Sequence, residues 1–222
     1  VRNGNQITVT VGPARYDFDR ASGQIAAIRV DGKPIAGPSN LVVWRPATYC
    51  ERNRLDLRPN QHDWNTYMQG LAGLAKTWSI EESNQTVTIT TQTEHRADDL
   101  NYVVTRTVYW ISATGTLRVD LEVEPHLDVP EIPEVGVELV TPGGLETMHW
   151  LGEGPLDSRP GKAEATYFGF WQAGPREAAA QGTKSGLEWA RLVYAHGAAL
   201  HVKDCAGVRL ESHDDQRRAL RI

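Results

Sequence analysis

The sequence has few cysteines and no long hydrophobic run, and both absences exclude classes of protein. Its two cysteines, Cys50 and Cys205, lie far apart, and neither belongs to a Cys-x-x-Cys pair or stands at ligand spacing from a histidine. A zinc site and a disulfide framework are therefore not expected, although the sequence leaves open whether the two cysteines pair with each other. No apolar run approaches the roughly 20 residues that a membrane-spanning helix needs. We expect no metal, no cofactor and no membrane partner.

Basic residues are also in the minority. The chain has 23 lysines and arginines against 28 aspartates and glutamates, which gives a formal net charge of -5. It lacks the basic face that nucleic acid requires, so nucleic acid is not an expected partner. Hydrophobic residues make up 40% of the composition, which is enough apolar material for a sizeable core.

The length and the amino end set the expected boundaries. We predict a single domain over residues 1–222, because all-β domains of this size are common. The chain begins at Val1 with a polar, strand-like segment, without an initiator methionine or a signal peptide. We therefore expect an excised piece of a longer protein. A cytoplasmic location is favoured, and a periplasmic or secreted one stays open if a signal was removed.

Alternating apolar residues predict strands through most of the chain. The pair Asp31-Gly32 separates two strand-like runs, which is a strong hairpin signal. Residues 87–91, 102–111 and 117–123 predict a meander of three long strands. The predicted fold class is all-β.

Two segments have helical spacing instead. Apolar residues recur at i, i+3, i+4 and i+7 over residues 64–71, and residues 176–181 form a weaker candidate. Glycines at positions 70 and 73 limit the first segment to two or three turns. We expect one or two short helices in the β protein.

The segment from His149 to Trp171 is the most unusual part of the sequence. It combines five aromatic residues with acids, bases and four glycines, without helical or strand periodicity. Gly152 and Gly154 are expected to let the backbone take positive φ, and Pro155 to fix the exit from the turn. Loops on rigid β scaffolds often carry function. The segment is either a contact surface for a ligand or another domain, or a long connection whose aromatic residues fill the core.

Taken in order, these motifs resemble the carboxy-terminal small-chain domain of the glycoside hydrolase family 2 β-galactosidases. Residues 16–25 match the family's Tyr-x-Phe-Asp-x-x-x-Gly-x-Ile segment, and the Asp-Gly hairpin follows it. Residues 44–48 match its Trp-Arg-Ala-Pro-Thr segment with alanine and proline exchanged. The family's Trp-x-Gly-x-Gly-Pro-x-Glu motif is matched at Trp150, Gly152, Gly154, Pro155 and, with aspartate for glutamate, Asp157.

Several polar positions depart from the family pattern. The family's Tyr-Pro-Asp-Arg reads Arg159-Pro160-Gly161-Lys162 here, and its Pro-Gln-Glu-x-Gly stretch corresponds to residues 182–186. The chain also stops before the closing strands and the tryptophan-bearing tail of the family. We therefore expect the fold of the domain to match the family more closely than its sugar-contacting polar residues do. We also expect the fragment to lack the final strands.

The resemblance implies a β supersandwich related to galactose mutarotases. In such enzymes the two catalytic glutamates lie on a separate α/β barrel of the same chain, and this domain packs on the barrel and helps to wall the sugar pocket. The expected function is that of a non-catalytic accessory domain in an enzyme that hydrolyses terminal β-galactosides. Its expected partners are the barrel, galactosides and the other subunits of a homo-oligomeric parent enzyme.

The candidate pocket residues combine planar aromatics, which stack on sugar CH faces, with charged groups that bind hydroxyls. For carbohydrate binding or a pocket wall they are Trp44, Arg45, Trp64, Trp150, Glu153, Asp157 and Arg159. Core packing explains the tryptophans equally well, and capping of backbone amides explains the acids. No catalytic residue is predicted in this chain.

A free-standing aldose 1-epimerase or carbohydrate-binding module is the alternative function. Epimerisation needs a histidine acid and a carboxylate base, and the candidate histidines are His95 and His149. A lone histidine in a strand is otherwise a hydrogen-bonded structural residue. A structural interaction domain without sugar affinity is a third reading of the same residues.

Overall fold

A computed structural model describes residues 2–45, 71–127, 132–159, 161–212 and 218–222. The predicted helix over 64–71 lies outside these ranges except for Leu71, and so do Trp64 and Cys50. Cys205 is a free, half-buried cysteine. Among the described residues no helix is long and apolar enough to span a membrane.

The described elements are almost all strands. They are β1 Arg2–Asn3, β2 Gln6–Val11, β3 Ala14–Asp19, β4 Gln24–Val30, β5 Lys33–Ala36, β6 Ser39–Val42, β7 Ala72–Glu82, β8 Thr86–Arg96, β9 Tyr102–Ser112, β10 Leu117–His126, β11 Gly136–Thr141, β12 Leu145–Gly154, β13 Tyr167–Ala173, β14 Lys184–Ser185, β15 Trp189–Tyr194, β16 Ala199–Lys203, β17 Gly207–Ser212 and β18 Arg218–Arg221. A 3₁₀ turn covers Ala163–Ala165 and one α-helix, α1, covers Pro175–Ala180. The all-β prediction is confirmed, and α1 corresponds to the weaker of the two predicted helices.

The strands form four antiparallel sheets. Two have five strands, in the orders β1-β2-β3-β4-β5 and β14-β17-β18-β11-β6, and two have four strands, in the orders β10-β9-β8-β7 and β13-β12-β15-β16. The predicted meander is present as β8, β9 and β10, with registers such as Ile89↔Tyr109 and Val119↔Tyr109. The predicted hairpin joins β4 to β5, and Asp31 and Gly32 both have positive φ, at 51° and 76°. That conformation is the one a type I′ turn requires.

The described residues divide into two compact units. The first comprises Val1–Gly12, Phe18–Gln24 and Leu41–Gly136, and the second comprises Pro13–Asp17, Ile25–Asn40 and Val137–Ile222. A single functional domain over residues 1–222 stays a prediction.

The core of the first unit lies against the inner face of β8 and β9. Phe18 and Ile89 are fully buried there, and the ring of Phe18 lies 5.0 Å from that of Tyr109. The same face continues into a buried polar patch, because threonines and a histidine occupy the next inward positions: Thr91, Thr93, His95 and Thr105. Hydroxyl groups of this patch donate to backbone carbonyls at Gly23 and Ser22.

The core of the second unit lies under the β13-β12-β15-β16 sheet. Alternate residues of β12 and β15 point inward, and they are fully buried: Met148, Trp150, Ala190, Leu192 and Tyr194. The opposite residues of the same strands are half-buried or exposed. This alternation fixes which side chains can reach a ligand or a partner.

Candidate functional site

The candidate site is built where β12 ends and the chain turns toward β13. Both ends of the His149–Trp171 segment are strands, paired in the register Trp150↔Trp171 and Gly152↔Gly169. A strand closed by Met148 and Trp150 agrees with the apolar pattern there, whereas the expectation of no strand periodicity was wrong for residues 152–154 and 167–171. Glycines at alternate inward positions hide the apolar pattern that would have revealed the strand.

Gly152 and Gly154 serve close packing. Neither has a positive φ, so the predicted reason for these glycines was wrong. A Cβ atom on Gly154 would lie 2.9 Å from Trp150 Nε1, and one on Gly152 would lie 2.9 Å from a methyl carbon of Leu187. Glycine is needed here because neighbouring atoms already occupy the space of a side chain.

Trp150 forms the floor beneath this turn. Its side chain is fully buried, and its indole N–H donates to the backbone oxygen of Glu153 at 3.2 Å. The ring stacks on Trp171 with centroids 6.5 Å apart and an interplanar angle of 28°. In this position Trp150 supports the turn from below and presents no face to solvent.

Asp157 is the electrostatic centre of the turn. Arg159 donates to both carboxylate oxygens, from Nε to Oδ1 at 3.0 Å and from its terminal nitrogen to Oδ2 at 2.7 Å. Lys162 Nζ donates to Oδ2 at 3.2 Å. Burial by itself raises the pKa of Asp157, but the hydrogen bonds from Arg159 and Lys162 outweigh that effect and lower the pKa to about 2. The group is therefore ionised throughout the neutral and mildly acidic range.

Glu153 and two serines form a second part of the site. Ser185 Oγ donates to Ser158 O at 2.7 Å and reaches Glu153 Oε2 at 3.4 Å. Ser158 Oγ accepts from the Ser185 backbone N–H at 2.7 Å. The predicted residues Glu153, Asp157 and Arg159 are thus brought onto one turn, with the strand β14 closing it.

Lys184 is a site residue that sequence reasoning did not select. Its side chain is fully buried, and its Nζ donates to the backbone oxygens of Gln181 at 3.0 Å and Gly182 at 3.1 Å. Nζ also lies 5.1 Å from the centre of the Trp150 ring, within range of a cation–π interaction. Burial lowers the pKa of Lys184 to about 8, and the nearby Asp157 charge opposes part of that decrease. The available signal was a lysine at the third position of residues 182–186, where the family motif has glutamate.

The remaining pocket candidates lie elsewhere. Trp44 belongs to the first unit, where it is half-buried against the cluster around Val43 and Val103. Arg45 follows it and is half-buried. Trp64 lies outside the described residues, so these three stay predictions.

The two candidate histidines have different surroundings. His95 is 2% exposed on β8, and its Nε2 lies 3.0 Å from the Thr105 hydroxyl. His149 is half-buried on β12, with Nε2 3.0 Å from Thr147 Oγ1, and its ring meets the edge of Phe170 at 6.0 Å. A ligand in solvent can therefore reach His149 more readily than His95. Among the described residues no cluster of histidine, cysteine or acidic side chains could hold a metal ion.

The burial of His95 predicts a loss of stability in mild acid. Burial lowers the pKa of His95 to about 4, below its ordinary value of 6.5, so the unfolded chain binds the proton more readily than the folded one. The stabilisation is complete above pH 6.5 and is lost as the pH falls toward 4. Linkage gives a decrease of about 2 kcal/mol in the free energy of unfolding between pH 7 and pH 5.

Urea denaturation of the wild type and of His95→Gln at both pH values measures this effect. The decrease should be smaller by that amount in His95→Gln, because the amide does not titrate. His201→Gln, at an exposed histidine, is the matched control and should behave as the wild type. An equal decrease in the wild type and in His95→Gln would contradict the assignment.

The fold is that of the mutarotase-like proteins. The structure of a putative aldose 1-epimerase from Escherichia coli K12 superposes with a TM-score of 0.52 over 97% of this chain and 86% of that one, at 14% sequence identity. At this identity the likeness shows a shared fold and nothing of activity. It confirms the mutarotase-like, all-β prediction.

The family follows from the sequence itself. The model of the family described as "Beta galactosidase small chain" matches residues 11–215, and the chain belongs to that family. It is 26% identical over 174 residues to the β-galactosidase of Kluyveromyces lactis, and 24% identical over 183 residues to that of Vibrio cholerae. These matches cover 75% and 78% of this chain but only 17% and 18% of the two relatives. The aligned part of the chain thus corresponds to about a sixth of their length.

Proposed function

We propose that this chain is a non-catalytic accessory domain of a β-galactosidase that hydrolyses terminal β-galactosides. The observation that carries the proposal is the family match over residues 11–215, together with relatives named β-galactosidase in which the aligned region makes up only 17% and 18% of the length. In this role the domain packs on the catalytic α/β barrel, helps to wall the sugar pocket and contributes to subunit contacts in a homo-oligomeric parent.

The state of Asp157 supports a role without catalysis. Retaining hydrolysis needs a nucleophilic carboxylate and a second carboxyl group with a raised pKa, about 5 to 5.5 Å apart. Asp157 has a pKa of about 2, so it holds no proton to donate. Its two oxygens accept hydrogen bonds from Arg159 and Lys162, which stabilise the negative charge and make the carboxylate a weaker nucleophile. The carboxylate holds the turn in shape.

The pocket-wall role is supported by the groups that the turn presents outward. The Arg159 side chain is 28% exposed and that of Lys162 is 56% exposed, while Asp157 beneath them is 15% exposed. Held by the carboxylate, these cations are preorganised donors for sugar hydroxyl groups. Their rigidity comes from Asp157 and, below it, from the buried Trp150.

A chromogenic β-galactoside assay tests the proposal. The isolated chain should show no turnover above buffer, and the full β-galactosidase polypeptide that carries it should be active. Turnover by the isolated chain that disappears in Glu153→Gln and Asp157→Asn would overturn the accessory role. Glu188→Gln, at an exposed acid near the same sheet, is the matched control for those variants.

An aldose 1-epimerase is the second candidate, and the half-buried His149 is the observation that favours it. Its ring lies on the outward face of β12, where a sugar could approach. Polarimetry on fresh α-galactose tests this function. Mutarotation faster than buffer, and lost in His149→Gln, would support the epimerase, whereas an unchanged rate would remove it.

A further inference from the structure

The outward face of the β13-β12-β15-β16 sheet carries a cluster of aromatic side chains, of which Phe168 and Phe170 are exposed and Trp189 is half-buried. Strand register places Leu151 between Phe170 on one side and Trp189 on the other, and Glu153 beside Phe168. One row along, the outward positions hold Gln172, His149, Arg191 and His201. We call the cluster formed by His149, Leu151, Phe168, Phe170 and Trp189 the aromatic face.

Two side chains of the aromatic face are largely exposed to solvent. Phe168 is 57% exposed and Phe170 is 59% exposed, although phenylalanine has no polar atom to hydrate. Both lie on β13, which is an edge strand of its sheet. An exposed apolar edge strand is a site of association, and proteins cover it or interrupt it with charge. The apolar side chains of β13 are neither covered nor interrupted within the described residues.

The ring geometry favours a protein surface over a glycan as the occupant. Phe170 meets His149 at 63° and Trp189 at 53°, with centroids 6.0 Å and 5.9 Å apart. Such interlocked rings present edges and notches, which suit the interdigitating side chains of a protein interface. A sugar ring stacks on a flat platform, and Phe170 with its two tilted neighbours does not form one. Trp189 does lie nearly parallel to His201, at 27° and 5.6 Å, so the glycan is kept as a tested alternative occupant.

The charges around the aromatic face indicate the chemistry of its partner. Arg191 and His201 are exposed on the adjoining row, and Lys203 pairs across the sheet with Trp189. Arg191 has no ion-pair partner among the residues that the structure describes. Lys203 is already paired with Asp204 at 3.5 Å, and the acid Glu153 lies beside Phe168 at the other end of the face. A complementary surface would therefore have an apolar centre and an acidic residue opposite Arg191.

We infer that the aromatic face docks on the remainder of the parent β-galactosidase polypeptide, against a surface with an apolar centre and an acidic group opposite Arg191. This inference rests on the proposed function. The matched relatives extend far beyond the region that aligns with this chain, which covers 17% and 18% of them. Those long chains supply partner surface in cis, at a high effective concentration, so a modest aromatic patch is sufficient for stable docking.

Hydrogen exchange followed by mass spectrometry tests the docking. Backbone amides of residues 167–173 are compared in the isolated chain and in the full polypeptide. Exchange should be slowed by about tenfold or more in the full polypeptide, because a docked edge strand opens less often. The double variant Phe168→Ser, Phe170→Ser should lose that protection, and Leu100→Ser, at a residue 82% exposed on a hairpin of the first unit, should keep it. Equal exchange in both forms would overturn the inference.

Two further measurements separate the other occupants and the proposed function. Sedimentation of the isolated chain that shows a dimer, dissociated by the double variant, would assign the face to a second copy and overturn the inference. Slowed exchange of the isolated chain on addition of galacto-oligosaccharide would assign it to a glycan, with the same consequence. Galactoside hydrolysis by the full polypeptide tests the proposed function separately. If the full polypeptide does not hydrolyse galactosides, the proposed function is refuted, whatever the hydrogen exchange shows.

Discussion

Replacing Trp150 with alanine is expected to lower the free energy of unfolding by about 3–5 kcal/mol, the range for truncating a buried aromatic side chain. The side chain is fully buried and contacts Trp171 and Lys184. Its removal opens a cavity under the turn. The substitution leaves the buried Lys184 ammonium group without its cation–π contact. It also leaves the Glu153 backbone oxygen without its indole donor. Urea or thermal denaturation of the purified variant measures the effect.

Two matched variants separate packing from other effects of the Trp150 substitution. Phe168→Ala removes an aromatic ring that is 57% exposed on the neighbouring strand, and we expect a change within about 0.5 kcal/mol. Trp150→Phe keeps most of the volume and should retain more than half of the lost stability. A loss below about 1 kcal/mol for Trp150→Ala would contradict the buried placement. In that case the indole would be available to a ligand, as a sugar-stacking role requires.

Local patterns in the sequence were sufficient to predict the β4–β5 hairpin and the β8–β9–β10 meander. The Asp31-Gly32 turn and the alternation over residues 87–123 depend on neighbours within a few positions, and both predictions were confirmed. The turn follows from the local backbone preference of Asp-Gly, and the strands follow from side chains that alternate between the two faces with a period of two residues. The strand pattern was missed in the later part of the His149–Trp171 segment, because its glycines interrupt the apolar alternation. The need for Gly152 and Gly154 is set by close contacts with Leu187 and Trp150, which the sequence does not reveal.

The candidate site was predicted only in part, for a similar reason. Glu153, Asp157 and Arg159 are close in sequence, so one turn gathers them. Lys184 joins them from a separate strand, and a lone lysine is ordinarily a solvated surface residue. Its burial follows from tertiary packing against Trp150 and from two backbone carbonyls that the helix end presents. No local spacing in the sequence indicates that Lys184 is buried beside this turn.

Replacing Asp157 with alanine is expected to cost about 3 kcal/mol, which is the second large effect. The carboxylate is 15% exposed and has a pKa of about 2 in the folded chain, against an ordinary value of 3.8. That difference corresponds to about 2 kcal/mol of stabilisation. Because the folded pKa is the lower one, the stabilisation is present above pH 3.8 and is lost as the pH falls toward 2. The rest of the loss comes from leaving Arg159 and the buried Lys184 without their counter-charge.

A double-mutant cycle with Lys184→Met tests whether the two residues form one electrostatic unit. Methionine has a similar length and no charge, so it removes the burial penalty of the ammonium group while keeping contact with Trp150. If Asp157 offsets that charge, the Asp157→Ala loss should be smaller in the Lys184→Met background by at least about 0.5 kcal/mol, measured by urea denaturation at pH 7. Arg159→Gln in place of Lys184→Met shows whether the partly buried Asp157–Arg159 ion pair contributes the same coupling. Strict additivity of Asp157→Ala and Lys184→Met would mean that Lys184 is held by the Gln181 and Gly182 carbonyls alone.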